Sequence, residues 1–159
     1  MRRVLVLAVL VIGLSVAATG YAAPPGAFNV FGCSQLQGGH VTVPANTALE
    51  ARGGWAAKTH GLVQNFMSSQ TTTLSMGGGQ PVDIAAFYGS ITQDGQDDWG
   101  VRFAYGLLPL ASGQSTTVVE NIVLPHRIQD GIAVQTDDNS KPYFWGPGTL
   151  TWTCVVTAA

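Results

Sequence analysis

Thr149-Leu150-Thr151-Trp152-Thr153-Cys154-Val155-Val156-Thr157 alternates large apolar and hydroxyl-bearing residues with a period of two. Successive side chains of an extended strand point to opposite sides of the sheet. Leu150, Trp152, Cys154 and Val156 therefore share one face, and Thr149, Thr151, Thr153 and Thr157 share the other. A strand with one core face and one wet face belongs in a sheet that packs on a second layer, and it directs Cys154 inward.

The same period recurs upstream. In Thr47 to Lys58, Leu49, Ala51, Gly53, Trp55 and Ala57 form the core face, while Glu50, Arg52, Gly54, Ala56 and Lys58 turn to solvent. Gly53-Gly54 in its middle predicts a bulge or a close backbone approach. Trp99, Val101, Phe103 and Tyr105 make a second inward face. Ser115 to Leu124 carries Val118, Ile122 and Leu124 on one side and Val119 and Val123 on the other, which predicts a central strand buried on both faces. Gly, Pro, Asn and Asp clusters such as Gly77-Gly78-Gly79, Asp130-Gly131 and Asp137-Asp138-Asn139 separate these segments at strand-like spacing. A helical period occurs once, over Leu62 to Ser68, where Leu62, Val63, Phe66 and Met67 fall on one side and Thr59 is placed to cap the open N–H groups. The expected fold is all-β: an antiparallel β-sandwich, immunoglobulin-like or jelly-roll-like, with one short helix at 62–68 plugging one end.

Met1-Arg2-Arg3, the apolar run Val4 to Ala18, and small residues at Gly20 and Ala22 read as a signal peptide over 1–22, leaving a single domain over 23–159. The run is about 15 residues, shorter than the roughly 20 that a membrane-crossing helix requires. The mature chain keeps Lys58, Lys141, Arg52, Arg102 and Arg127 against nine acids, a net charge of 5 − 9 = −4. That balance excludes a phosphate-tracking nucleic-acid binder. In an oxidising compartment the two cysteines, Cys33 and Cys154, are expected to pair. Closing the 121-residue loop between them removes about 4 to 5 kcal/mol of chain entropy from the unfolded state.

Leu107-Leu108-Pro109-Leu110-Ala111-Ser112-Gly113-Gln114-Ser115, running into an alternating strand, resembles a pattern of immunoglobulin-like bacterial surface modules. Gly54-Trp55-Ala56-Ala57-Lys58-Thr59 with Gly61-Leu62-Val63-Gln64-Asn65-Phe66 is similar to a segment of secreted bacterial domains. These resemblances imply export and a β-sandwich, and they bring no catalytic residues with them.

The chain has no Gly-x-Ser-x-Gly turn to present a nucleophile, and His40, His60 and His126 are the candidate bases for any triad assembled in space. Their spacing does not match zinc ligation. The ion that best suits the sequence is calcium, on the hard oxygen ligands Asp94, Asp97 and Asp98 of one Gly-containing loop, and no other cofactor is implied. Glu50 and Glu120 are the only glutamates. Nothing in the sequence pairs them as a glycosidase would require, and Glu50 is placed to balance Arg52 or Lys58. Tyr143-Phe144-Trp145 before Gly146-Pro147-Gly148 stands apart, because three adjacent rings cannot all face one way, so at least one is expected in solvent. The sequence thus reads as a secreted or cell-surface interaction module without a catalytic centre, binding a protein or glycan partner through Tyr143, Phe144 and Trp145. The alternatives are a carbohydrate-binding module and a small hydrolase whose site assembles from loops.

Overall fold

The computed structural model describes residues 24–35, 39–95, 98–135 and 141–159. Among them lie nine strands and one α-helix: β1 (Phe28–Asn29), β2 (His40–Val43), β3 (Leu49–Ala57), α1 (His60–Ser69), β4 (Thr71–Met76), β5 (Val82–Asp83), β6 (Thr92–Asp94), β7 (Asp98–Leu107), β8 (Ser115–Leu124) and β9 (Gly148–Ala158). They form a four-stranded sheet in the order β1-β3-β7-β6 and a five-stranded sheet in the order β2-β9-β8-β4-β5. The long strands pair antiparallel, but β1 runs parallel to β3 and β2 parallel to β9, so both sheets are mixed where purely antiparallel ones were expected. Between β1 and β2 the chain crosses from one sheet to the other through a 3-10 segment, Val30–Gln35, and so supplies an edge strand to each.

The inward faces follow the period-two reading. Val118, Cys154 and Val156 from the five-stranded sheet join Leu49, Ala51, Phe103 and Tyr105 from the four-stranded one in a common core. Cys33, in the 3-10 segment, is bonded to Cys154 of β9, with 5.9 Å between their Cα atoms. The disulfide ties the crossover segment to β9, the strand next to the β2 edge of the five-stranded sheet. A second core cluster, around Val63, Phe66, Val101, Ile122 and Leu124, lies under α1. The helix begins at His60, where the Thr59 hydroxyl accepts a hydrogen bond from the Leu62 N–H at 3.3 Å, the expected cap. Phe66 stacks on Trp55 with ring centroids 4.5 Å apart, so α1 closes the end of the core that Trp55 opens.

One strand expectation is met in the second of its two forms, and two need correction. The β3–β7 register runs unbroken from Leu49↔Leu107 to Ala57↔Trp99, so Gly53-Gly54 makes no bulge. It makes a close approach instead: a Cβ at Gly54 would lie 2.2 Å from the Val101 carbonyl oxygen. β8 is central, between β9 and β4, yet Val119 is half-buried and Val123 is exposed, because among the described residues no layer covers that side of the sheet. Neither glutamate faces solvent. Glu50 is 1% exposed on the far side of β3, and Glu120 is 5% exposed on the inward face of β8.

Candidate functional site

Between β8 and β9 the chain extends as a two-stranded arm. Ile128 and Trp145 exchange backbone hydrogen bonds of 3.0 and 2.8 Å. Further out, the Tyr143 N–H donates to the Ala133 carbonyl at 2.9 Å and the Gln135 N–H to the Lys141 carbonyl at 3.1 Å, around a Val134↔Pro142 bridge. Asp130 organises its base. One carboxylate oxygen accepts from the Ile132 and Ala133 N–H groups, each at 2.8 Å, and the other accepts the Trp145 indole Nε1–H at 2.8 Å. The Asp130 carbonyl accepts the Lys58 N–H at 2.7 Å, fastening the arm beside the start of α1. Three donors on one buried carboxylate satisfy it in place of water. Gly131 follows at φ +73°, and a Cβ there would lie 3.0 Å from the Lys58 side chain, so the sharp turn requires glycine.

Alternation divides the arm. Trp145 packs edge-on against Trp55 (5.6 Å), and Tyr143 against Trp145 (4.9 Å), so this face continues the aromatic stack that runs from Phe66. Extending the Val134↔Pro142 register sets Ile132 across from Phe144, which gathers Ile132, Val134, Pro142 and Phe144 on the opposite face. All four are exposed, as is Tyr143. Of the six large hydrophobic residues exposed among the described residues, Ile132, Val134, Tyr143 and Phe144 lie on this arm. The ring run thus splits: Trp145 is half-buried, while Tyr143 and Phe144 reach solvent at 42% and 43% exposure. The sequence reading missed Ile132 and Val134, although Gly131-Ile132-Ala133-Val134 carries the period-two signal.

The other candidate residues are dispersed. Asp94 pairs with Arg102 at 2.6 Å and Asp98 with Lys58 at 3.2 Å, while Asp97 and Asp137-Asp138-Asn139 lie outside the described residues. Among the described residues no group of three His, Cys, Asp or Glu side chains could hold a metal ion. His40 bonds Thr157 at 3.0 Å and His60 meets Trp99 edge-on. His126 Nε2 lies 3.3 Å from the Ser69 hydroxyl at the surface, with no carboxylate among the described residues to orient the ring. Glu50 contacts Arg52 at 2.6 Å, a charge contact without hydrogen-bond alignment, so the expected pairing forms but both Glu50 oxygens lack a hydrogen-bond partner. The glutamates occupy opposite faces of different sheets. Burial raises the Glu120 carboxyl from 4.5 to about 7. Nearby Tyr88 is pushed up to about 12, first by burial, against the opposing effect of its hydrogen bond with Thr72, with the Glu120 charge adding to the rise.

No family model, curated protein or solved structure matches this chain.

Proposed function

We propose that this protein is a secreted or cell-surface interaction module, built on an immunoglobulin-like or jelly-roll-like β-sandwich, that holds its partner on the outward face of the 128–145 arm. The observation that carries the reading is the row of exposed Ile132, Val134, Pro142 and Phe144 on one face of a hydrogen-bonded projection whose base is fixed by Asp130, with Tyr143 exposed on the other face. A contiguous apolar patch is costly to leave in water, and on a soluble domain it marks a contact surface. Its make-up favours a protein partner: aliphatic side chains surround one exposed ring, whereas sugar stacking needs flat rings flanked by hydrogen-bonding groups. The Cys33–Cys154 disulfide is consistent with an oxidising compartment, and no helix among the described residues is long and apolar enough to cross a membrane. Calcium at Asp94, Asp97 and Asp98 is a separate proposal, checked by a melting temperature that rises with the ion.

The test compares the wild type with Phe144→Ser and Ile132→Ser. Each protein is immobilised against envelope and secreted fractions and, in parallel, on a glycan array. Partners retained by the wild type and lost from both variants support the reading. Glycan binding lost in the variants replaces it with a carbohydrate-binding module, and identical retention by all three proteins overturns it. Turnover on a panel of chromogenic esters that disappears with His126→Ala would instead establish a hydrolase.

A further inference from the structure

The inward face of β8 carries a carboxyl group where the strand pattern calls for an apolar residue. Glu120 follows Val118 and precedes Ile122 on that face, and in register it lies between Leu74 of β4 and Trp152 of β9. It makes no hydrogen bond or ion pair among the described residues. Across the gap β3 presents Gly53, where a Cβ would lie 3.6 Å from Glu120 Oε2 and 2.8 Å from the Phe103 ring. A Cβ there would crowd the Phe103 ring and meet the carboxyl at ordinary van der Waals distance, so Glu120 reaches across to the backbone of β3.

Among the described residues the surroundings offer no countercharge. β4 contributes Thr72 and Leu74, β9 contributes Trp152, β3 contributes Gly53, and β7 contributes Phe103 with Tyr105 further along. Tyr88, which bridges to Phe103, adds a hydroxyl bonded to Thr72 at 3.2 Å. The titratable groups among these are the two tyrosines, both shifted upward by burial. The cations lie elsewhere: Arg52 and Arg102 on the outer face of the four-stranded sheet, Lys58 on Asp98, Arg127 and Lys141 exposed in the connection between β8 and β9, and the three histidines on Thr157, Trp99 and Ser69.

We propose that Glu120 is a pH switch set into the contact between the two sheets: as a neutral acid it stays buried on the inward face of β8 against Gly53 of the facing sheet, and once ionised it forces the layers to loosen and admit more water. Tyr88 and Trp152 border both core clusters, so the seam that would open separates the disulfide-tied half of the core from the helix-capped half. The window follows from the direction of the shift. The unfolded chain gives up this proton near pH 4.5 while the folded chain keeps it to about 7. Stability therefore falls as pH rises between those values and levels off above them.

The experiment follows thermal unfolding of the wild type and Glu120→Gln from pH 4.5 to 8.5, with amide exchange of β3 and β7 corrected for intrinsic rates. Between pH 5 and 7.5 the wild-type midpoint should fall by roughly 5 to 10 °C more than that of the variant. Protection at Gly53 and Phe103 should drop above neutral pH in the wild type alone. Parallel midpoint curves, or equal protection on both sides of the transition, overturn the switch. Should Glu120→Gln fail to fold, the carbon-13 carboxyl titration of Glu120 in the wild type decides: a midpoint near 7 supports the proposal, and one near 4.5 overturns it.

Discussion

Removing the Asp130 carboxylate should release the arm that carries the proposed contact surface. The group accepts three hydrogen bonds of 2.8 Å, two from backbone N–H groups and one from the Trp145 indole. A bond to a charged acceptor contributes about 1.5 to 3 kcal/mol, but the three share one carboxylate, and water can reach donors at an exposed turn once the side chain is gone. Asp130→Ala is therefore expected to cost about 3 kcal/mol, or roughly 10 °C in melting temperature for a domain of this size. Asp130→Asn separates the contributions. Its amide has one acceptor oxygen and one donor nitrogen, so whichever way it is oriented, a donor is set against a donor. With the oxygen kept at Ile132 and Ala133, the conflict falls on Trp145, for an expected cost of about 2 kcal/mol. Adding Trp145→Phe removes that conflict, so the double variant should cost about 1 kcal/mol less than the sum of the two single changes. Urea unfolding followed by far-ultraviolet circular dichroism measures the wild type and the four variants without relying on the altered tryptophan. A loss below about 1 kcal/mol for Asp130→Ala, or strict additivity in the cycle, would refute the idea that this carboxylate holds the arm.

The remaining predictions follow from single contacts. Cys154→Ser should lower stability by roughly 2 to 5 kcal/mol, read from denaturant midpoints, and alkylation without reductant should label neither thiol of the wild type. Gly54→Ala brings a Cβ to 2.2 Å from the Val101 carbonyl and must spread β3 from β7, for a loss of about 2 kcal/mol or more. Gly32→Ala, with nothing within 4 Å, should stay within about 0.5 kcal/mol of wild type. Phe144→Ala should change stability by less than about 1 kcal/mol while Trp152→Ala costs about 3 kcal/mol or more, and a similar loss for both would place Phe144 in the core.

What the sequence determined by itself is local. The period of two assigned the inward faces of β3, β7, β8 and β9, because alternation is a property of the extended backbone and needs no partner strand. Thr59 marked the start of α1 because a cap acts within one turn. The cysteine pairing was legible because two thiols in an oxidising setting leave one combination. What the tertiary structure decided is every feature that depends on residues distant in the chain. The parallel edge strands β1 and β2 are too short to show a period, and they take their places from partners 21 and 115 residues away, Leu49 and Val155. Phe144 and Trp145 are adjacent aromatics, and the Asp130 bond and the Trp55 ring hold Trp145 inward while Phe144 is left in water. At Glu120 two local rules conflict, since parity with Val118 and Ile122 directs the side chain into the core and its polarity directs it out. Parity prevailed because turning one residue outward would break the ladders to β4 and β9, and the carboxyl then faces Gly53, 67 residues earlier, across the gap between the sheets.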